Sequence, residues 1–251
     1  MNKTAAKAAM LFLFVCSVIK INAQTNGGKW QLGINGGVFI YQGDLTPSSF
    51  GSYKTPALTL GINVSRILNS YFAVRANLAL GKLRGNDAAY SEPAWRQQRN
   101  LNFSTPVTEL SVLMLWNLFG NNNNELGRRF SPYLFAGAGI NKISISRDYS
   151  KLDRSVFANG SKVQLGLAVD SINTLPRTIA VLPVGAGLEY YISPKISLSF
   201  ETNFRYTFTD YLDGFSYVAE PNKKDFYHSQ TLGFIFRFGK KDQLGCPVMK
   251  F

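Results

Sequence analysis

Histidine, cysteine and charged residues are scarce in this sequence, and long apolar runs are missing from it. Its single histidine excludes a metal centre built from several imidazole ligands. No apolar stretch reaches the roughly 18 residues that mark a transmembrane helix. Charged residues make up 17% of the chain, below the about 25% usual in soluble domains. The abundant residues are 19 Phe, 12 Tyr and 22 Gly, and they favour strands joined by turns.

The start of the chain has the features of a cleaved signal peptide. Lys3 and Lys7 form a basic region, an apolar stretch follows, and Ala23 supplies the small residue at a cleavage site. A lipoprotein is not predicted, because a bulky valine precedes Cys16 where lipid attachment requires a small residue. We predict a signal peptide over residues 1–23, export through the inner membrane, and a remaining chain of about 228 residues in one domain.

The chain is basic, with a formal net charge of +12, or +9 once the three lysines of the signal peptide are removed. An exported protein rarely meets nucleic acid, so the excess favours anionic lipid phosphates or an acidic protein partner. We expect outer-membrane lipid as one partner. We expect no nucleic acid, no small-molecule substrate and no cofactor.

Apolar and polar residues alternate with period two in eight segments of about ten residues. In the clearest segment six apolar residues share one face: Ile196, Leu198, Phe200, Phe204, Tyr206 and Phe208. Its other face is polar: Ser197, Ser199, Glu201, Asn203, Arg205 and Thr207. The fifth segment, which starts at Tyr133, is rich in glycine and does not reveal which face points where. An even number of strands is what single-chain bacterial barrels require.

Short turns alternate with long polar connections. The turns lie at 67–70 and 193–195, and the long stretches lie near 42–56, 85–105, 147–177 and 209–228. This rhythm predicts an all-β fold, an eight-stranded antiparallel up-and-down transmembrane β-barrel with long extracellular loops and periplasmic short turns. The barrel is predicted over 24–238, and a periplasmic C-terminal tail over 239–251.

A soluble barrel of the lipocalin kind is the alternative, with its apolar face inward. The polar face here is rich in Gly, Ser, Asn and Thr but poor in Lys, whereas a water-facing strand surface carries more charge. Six aromatic residues near segment ends are predicted to form interfacial girdles: Tyr41, Trp116, Tyr133, Tyr190, Tyr191 and Tyr206. We therefore favour the membrane barrel.

Six charged residues fall on the polar faces: Arg75, Glu109, Glu189, Glu201, Arg205 and Arg237. An eight-stranded lumen is only wide enough for side chains to fill, and isolated charges there are costly. We predict that the three arginines pair with the three carboxylates and plug the barrel. A gated ion path is the alternative.

Catalytic and metal-binding readings have weak support. A set of Ser, His and acid could be assembled at the barrel rim from His228, Ser229 and one of Asp210, Asp213 or Asp225. Their spacing is not distinctive, so we predict no catalytic residues, and a rim lipid-modifying enzyme remains a remote alternative. The segment 210–214 lacks the full ligand series of a calcium loop, and no metal site is predicted.

Several stretches resemble PorG-type outer-membrane barrels associated with the type IX secretion system. They are Tyr41-Gln42-Gly43-Asp44-Leu45, Val74-Arg75-Ala76-Asn77-Leu78 with Gly85-Asn86-Asp87, Arg129-Phe130-Ser131-Pro132-Tyr133-Leu134, and Thr207-Phe208-Thr209-Asp210-Tyr211-Leu212-Asp213. The resemblance implies a non-enzymatic anchor of a secretion apparatus that binds periplasmic ring subunits, a lipoprotein among them. The alternative is a stand-alone barrel, similar to OmpA, OmpX or OmpW, for envelope integrity, adhesion or narrow conductance.

Cys246 is the only cysteine that remains after signal removal, and it lies in the predicted tail. It cannot form an internal disulfide, so in the oxidising periplasm it is either a free thiol or an intermolecular link. The resemblance implies that the ring is the candidate partner of such a link.

An intermolecular disulfide at Cys246 predicts a reducible adduct. Cells carrying the wild-type protein should give a larger band on non-reducing gels, and the band should vanish with reductant and in Cys246→Ser. Wild-type protein that migrates as the monomer without reductant would show that the thiol is free.

Overall fold

A computed structural model describes residues 30–48, 50–120, 122, 128–218 and 225–238. The predicted signal peptide, the predicted tail and Cys246 lie outside these residues. The strands are β1 Trp30–Gln42, β2 Ala57–Ile67, β3 Phe72–Asn86, β4 Asn102–Asn117, β5 Phe130–Ile143, β6 Ser146–Asp148, β7 Thr178–Tyr191, β8 Ile196–Thr207 and β9 Phe226–Phe238. The helices are a 3₁₀ turn at Asp87–Ala89, α1 Trp95–Arg99 and α2 Lys162–Ile172.

Eight long strands close into a barrel, and the short β6 only extends the end of β4. Each long strand pairs antiparallel with its neighbours in the chain, and β1 pairs with β9 from Trp30↔Phe238 to Gln42↔Phe226. The predicted eight-stranded up-and-down barrel is therefore confirmed. Each of the eight long strands therefore has a partner on both sides. A bilayer would not tolerate an unpaired edge, because hydrocarbon cannot bond to free backbone groups.

The alternation of each strand puts its apolar face outward. Leu58 is 80% exposed. Other exposed apolar side chains continue the same outer belt, among them Leu60, Ile62, Leu110, Val112, Val184 and Leu232. The fifth strand, whose facing the sequence left open, buries Tyr133, Phe135, Asn141 and Ile143 and exposes Leu134 and Ile140. The apolar outer belt is the reverse of the soluble alternative, in which the apolar side chains would lie inside and the polar ones outside.

The end of the barrel with the long loops, here called the mouth, is built differently from the sequence prediction. The stretches near 85–105 and 147–177 are predicted as polar loops, yet β3 runs to Asn86, β4 begins at Asn102, and α2 folds within the second stretch. Their apolar residues turn inward, and the loops after β1, β3, β5 and β8 form a cap over the lumen.

The cap is an apolar core. Barrel side chains near the mouth form its lower layer: Phe39, Leu83, Phe103, Val107, Ile143, Ile179 and Tyr227. Loop and helix side chains form its upper layer: Leu45, Leu101, Leu152, Leu167, Leu212, Phe215 and Val218. Fully burying an aliphatic or aromatic side chain stabilises by about 1.5–3 kcal/mol, so this core holds the loops in place.

Within the ranges given above, no helix is long and apolar enough to cross a bilayer.

Arginine on the outer face distinguishes a lipid-facing barrel from a water-facing one. Leu110 lies midway along β4 and is 54% exposed, whereas Leu58 lies beside the mouth. Leu110→Arg should lower the free energy of unfolding in lipid vesicles by about 2–4 kcal/mol, and the matched Leu58→Arg by about 0–1 kcal/mol. Urea titration measures both. Equal, negligible losses would contradict a lipid belt.

Candidate functional site

The lumen holds the six charged residues singled out from the sequence, and each arginine lies against one of the carboxylates. The pairs are Arg237 with Glu189, Arg75 with Glu201, and Arg205 with Glu109. They follow one another from the short-turn end toward the mouth, as the positions of these residues along their strands require.

The pair at the short-turn end joins β9 to β7. The Arg237 guanidinium donates to Glu189, and Ser197 donates its hydroxyl to the same carboxylate. The Arg237 guanidinium carbon also lies 4.2 Å from the centroid of the Tyr191 ring. A planar cation over an aromatic face adds to the Coulomb attraction where water is excluded.

The middle pair crosses the lumen from β3 to β8. Arg75 Nη1 lies 2.5 Å from Glu201 Oε1, and the Tyr133 hydroxyl donates to the same oxygen at 2.5 Å. Arg75 Nε donates to Ser65 Oγ at 3.2 Å. The carboxylate on β8 thus accepts from β3 and from β5, so one group connects three strands across the lumen.

The pair nearest the mouth joins β8 to β4 and is the most completely bonded. Arg205 Nε lies 2.5 Å from Glu109 Oε2, and Arg205 Nη1 donates to Ser229 Oγ at 2.7 Å. Glu109 also accepts from Tyr227 at 3.1 Å and from Ser111 at 3.0 Å. The Glu109 side chain is wholly buried, and these bonds take the place of bonds to water that its carboxylate loses on folding.

Three of the six aromatic residues predicted for the girdles lie inside the barrel instead. Tyr41, Tyr133 and Tyr191 are buried, whereas Trp116 is 46% exposed on the outer face. Their positions belong to the inward set of their strands, and each hydroxyl or ring meets a charged group of the interior. A residue near a strand end can lie on the inner or the outer face, so its position along the strand does not predict whether it belongs to a girdle.

At the mouth, Tyr41 binds two carboxyls of the β8–β9 loop. Its hydroxyl lies 2.7 Å from Asp213 Oδ2 and 2.8 Å from Asp225 Oδ1. A Cβ atom on Gly43 would come within 2.0 Å of Asp225 Oδ1 and 2.1 Å of the Tyr41 hydroxyl, so glycine leaves the space for this contact. Burial raises the pKa of Asp213 and of Asp225 well above the ordinary range.

Asp210 belongs to the same loop and is less deeply buried. Its burial raises the pKa of Asp210 to about 6, and the negative charge of Asp170 adds to the effect. Asp170 itself accepts three backbone N–H groups of the loop, the closest from Val218 at 3.0 Å. The Asp170 side chain of helix α2 therefore holds the backbone of the β8–β9 loop.

A second charged cluster supports the mouth from the β3–β4 loop. Arg96 and Arg99 donate to the buried Asp87 carboxylate at 2.9 and 2.6 Å. The same arginines reach the backbone oxygen of Asp44 at 3.2 and 3.5 Å. Burial lowers the pKa of Arg96, and the charge of Asp87 opposes that shift. The cluster ties the β1–β2 loop to the β3–β4 loop.

The four stretches that carry the resemblance supply contacts in the lumen and at the mouth. The first two supply Tyr41, Gly43 and Asp87, and the fourth supplies Asp213. The third places Tyr133 on the middle ion pair. Their residue types serve contacts across the lumen and the mouth, which spacing along the sequence does not reveal.

The suggested Ser, His and acid set is not assembled. Ser229 points into the lumen and binds Arg205, whereas His228 points outward and lies beneath Tyr53, whose hydroxyl is 3.2 Å from His228 Nε2. Adjacent residues of a strand face opposite sides, so the two cannot cooperate. Within the described ranges, no three His, Cys, Asp or Glu side chains are grouped as a metal site.

An apolar outer belt around a closed, even-numbered antiparallel barrel, with polar groups inside, defines a small transmembrane β-barrel of the bacterial outer membrane. The chain belongs to the family described as "Domain of unknown function (DUF6089)", whose model matches residues 6–241. No curated protein matches the sequence.

Three solved barrels are similar in structure. Ail, the attachment invasion locus protein of Yersinia pestis, is 14% identical with a TM-score of 0.44, over 84% of this chain and 99% of Ail. Neisserial surface protein A is 14% identical with a TM-score of 0.46, over 83% and 97%. OprG of Pseudomonas aeruginosa is 10% identical with a TM-score of 0.42, over 86% and 98%.

Breaking the pair nearest the mouth should cost more than removing it. Glu109→Leu leaves Arg205 buried without its carboxylate and should lower the free energy of unfolding by roughly 3–5 kcal/mol. The double variant with Arg205→Met should lose less, because no charge is left unpaired. Lys195→Met, which removes an exposed charge, should stay within about 0.5 kcal/mol of wild type in the same urea titrations. A double variant as unstable as Glu109→Leu would contradict the pairing argument.

Proposed function

We propose that this protein is an outer-membrane anchor for a type IX protein-secretion apparatus, which it binds through its short-turn end and its tail. The role is non-enzymatic and uses no cofactor. The observation that carries the proposal is the interior of the barrel, where three buried ion pairs cross the lumen and an apolar cap covers the mouth. A barrel with such an interior acts through its surfaces, as an anchor does.

The charge of the short-turn end supports a protein partner there. Arg66, Arg129 and Lys195 are exposed at this end, and the described residues of its turns include no acidic side chain. An acidic face on a periplasmic ring subunit would complement them, and such complementarity accelerates and orients association. The resemblance of the four internal stretches to PorG-type barrels supports the same class of partner.

Photo-crosslinking at matched positions tests the proposed interface. A photoreactive side chain in place of exposed Lys195 should capture a periplasmic subunit of the apparatus, whereas the same side chain in place of exposed Lys151, on the mouth side, should not. Deletion of the gene should abolish export of secreted cargo. Capture from Lys151 alone, or unchanged export after deletion, would overturn the anchor.

The mouth offers one observation that favours a second candidate, a stand-alone barrel with an adhesive outer surface. Helix α2 exposes Leu165, Val169 and Ile172 along one side, while Leu167 and Asp170 pack into the cap on the other. Unchanged export together with loss of surface attachment after Ile172→Ser would favour this candidate over the anchor.

A further inference from the structure

The contact at the mouth between Tyr41, Asp213 and Asp225 joins strand β1 to the β8–β9 loop through three oxygens. Both carboxyls are almost completely buried, with 0% and 1% of Asp213 and Asp225 exposed. Each carboxyl uses its second oxygen to accept a backbone N–H, from Phe215 at 2.8 Å and from Leu212 at 2.9 Å. Every carboxyl oxygen of the group therefore already has one short contact.

The hydrogens in this group do not suffice if both carboxyls are ionised. A phenol carries one hydrogen, so Tyr41 can donate to Asp213 or to Asp225, but not to both. The other contact, at 2.7 or 2.8 Å, then needs a hydrogen on the carboxyl, which donates to the phenol oxygen. Without it two lone pairs would face one another in a buried site. The two short contacts are best satisfied when one carboxyl retains a proton.

The surrounding charges favour that proton. Asp44 and Asp210 are the further acidic groups that act on the pair. The nearby arginines are bound elsewhere, with Arg147 donating to the backbone oxygen of Gly214 at 2.8 Å. The others bind Asp87, the Asp44 carbonyl oxygen and Glu109: Arg96, Arg99 and Arg205. Glu220, Lys223 and Lys224, which precede Asp225 in the sequence, lie outside the described residues.

The loop segment that this group holds also closes the mouth. Leu212, Phe215 and Val218 lie in the apolar core of the cap. The Leu212 carbonyl oxygen accepts from Thr105 of β4 at 2.9 Å. Loss of the Asp213 contact would therefore weaken the packing of the segment over the lumen.

We propose that segment 210–218 is a proton-dependent latch on the barrel mouth, closed while Asp213 or Asp225 carries a proton and released when both are ionised. The proton completes the hydrogen bonds to Tyr41 and removes one of two adjacent buried negative charges. Two ionised carboxylates in this site repel each other, and solvation in water on release relieves both the repulsion and the desolvation.

The direction of the pH dependence follows from the burial. The pKa of each carboxyl is raised in the latched state, and in the released state it returns toward 3.8. The latched state therefore holds a proton that the released state gives up. The latch is strongest below the released pKa, weakens as the pH rises from there toward the raised pKa, and then levels off. A carboxylate in a salt bridge has the opposite pH dependence, because its contact is lost as the pH falls.

A thiol at position 218 reports the release. Val218→Cys is made in a full chain whose own cysteines are replaced by serine, and the folded barrel is treated with a polar methanethiosulfonate reagent. Its labelling rate is divided by that of Ser155→Cys, an exposed position of another loop, which corrects for thiolate content. This ratio should rise as the pH increases above the released pKa of 3.8, by up to about tenfold per pH unit until both carboxyls are ionised.

Three variants assign the effect. Asp225→Asn, with an amide that stays neutral and can donate to Tyr41, should keep the ratio low at high pH. Tyr41→Phe should raise it at pH values where the wild type is closed. Asp148→Asn changes a carboxyl outside the latch, in strand β6, and should leave the pH profile as in wild type. If Asp225→Asn does not fold, Asp213→Asn carries the same expectation.

Three results would overturn the latch. One is a wild-type ratio that does not change with pH, and another is a wild-type profile retained in the asparagine variants. The third is closure of the wild type at high pH by added calcium chloride, since a cation and not a proton would then neutralise the carboxyls. None of these outcomes bears on secretion, so the latch and the proposed anchor are tested separately.

Discussion

The exclusion of polar groups by bilayer hydrocarbon is the constraint from which the rest of the structure follows. Since lipid tails cannot hydrogen-bond, each of the eight long strands pairs on both sides and keeps its charged side chains inside the barrel. The space inside eight strands holds side chains and little water. Each buried charge therefore needs a partner reached across the lumen, and the Arg75–Glu201, Arg205–Glu109 and Arg237–Glu189 pairs meet that requirement.

The inner surface of the barrel changes from polar to apolar toward the mouth. The inner faces of β3 and β4 near the mouth carry Leu83, Phe103 and Val107, which are apolar and would contact water in an open barrel. Loop residues such as Leu212 and Phe215 cover them, so the long connections form part of the core. The ion pairs lie in the lumen, and the cap lies above them at the mouth. Both the ion pairs and the cap connect segments that are far apart in sequence.

The proposed anchor role places the functional surfaces of this barrel at its two ends. The short-turn end is simple and basic, with exposed Arg66, Arg129 and Lys195. The mouth is ordered by two kinds of electrostatic contact, the Asp87 cluster with its arginines and the Asp213–Tyr41–Asp225 group, which lacks a basic partner among the described contacts. In the first cluster the arginines neutralise the charge of Asp87. The second depends on a shared hydrogen, which makes it the more sensitive to conditions.

The sequence by itself determined the barrel, the number of its strands and the face that each charged residue occupies, because side chains alternate with period two and the outer solvent is apolar. Which charged residues pair with one another is decided only in the closed barrel. Strand stagger decides that Arg75 of β3 reaches Glu201 of β8, and loop packing brings Asp213 to Tyr41 across 172 positions of the chain. The prediction that Tyr41, Tyr133 and Tyr191 lie in the girdles is wrong for a related reason, since alternation fixes the face of a residue and nearness to a strand end does not. Contacts between distant segments arise only when the barrel closes, and no local pattern encodes them.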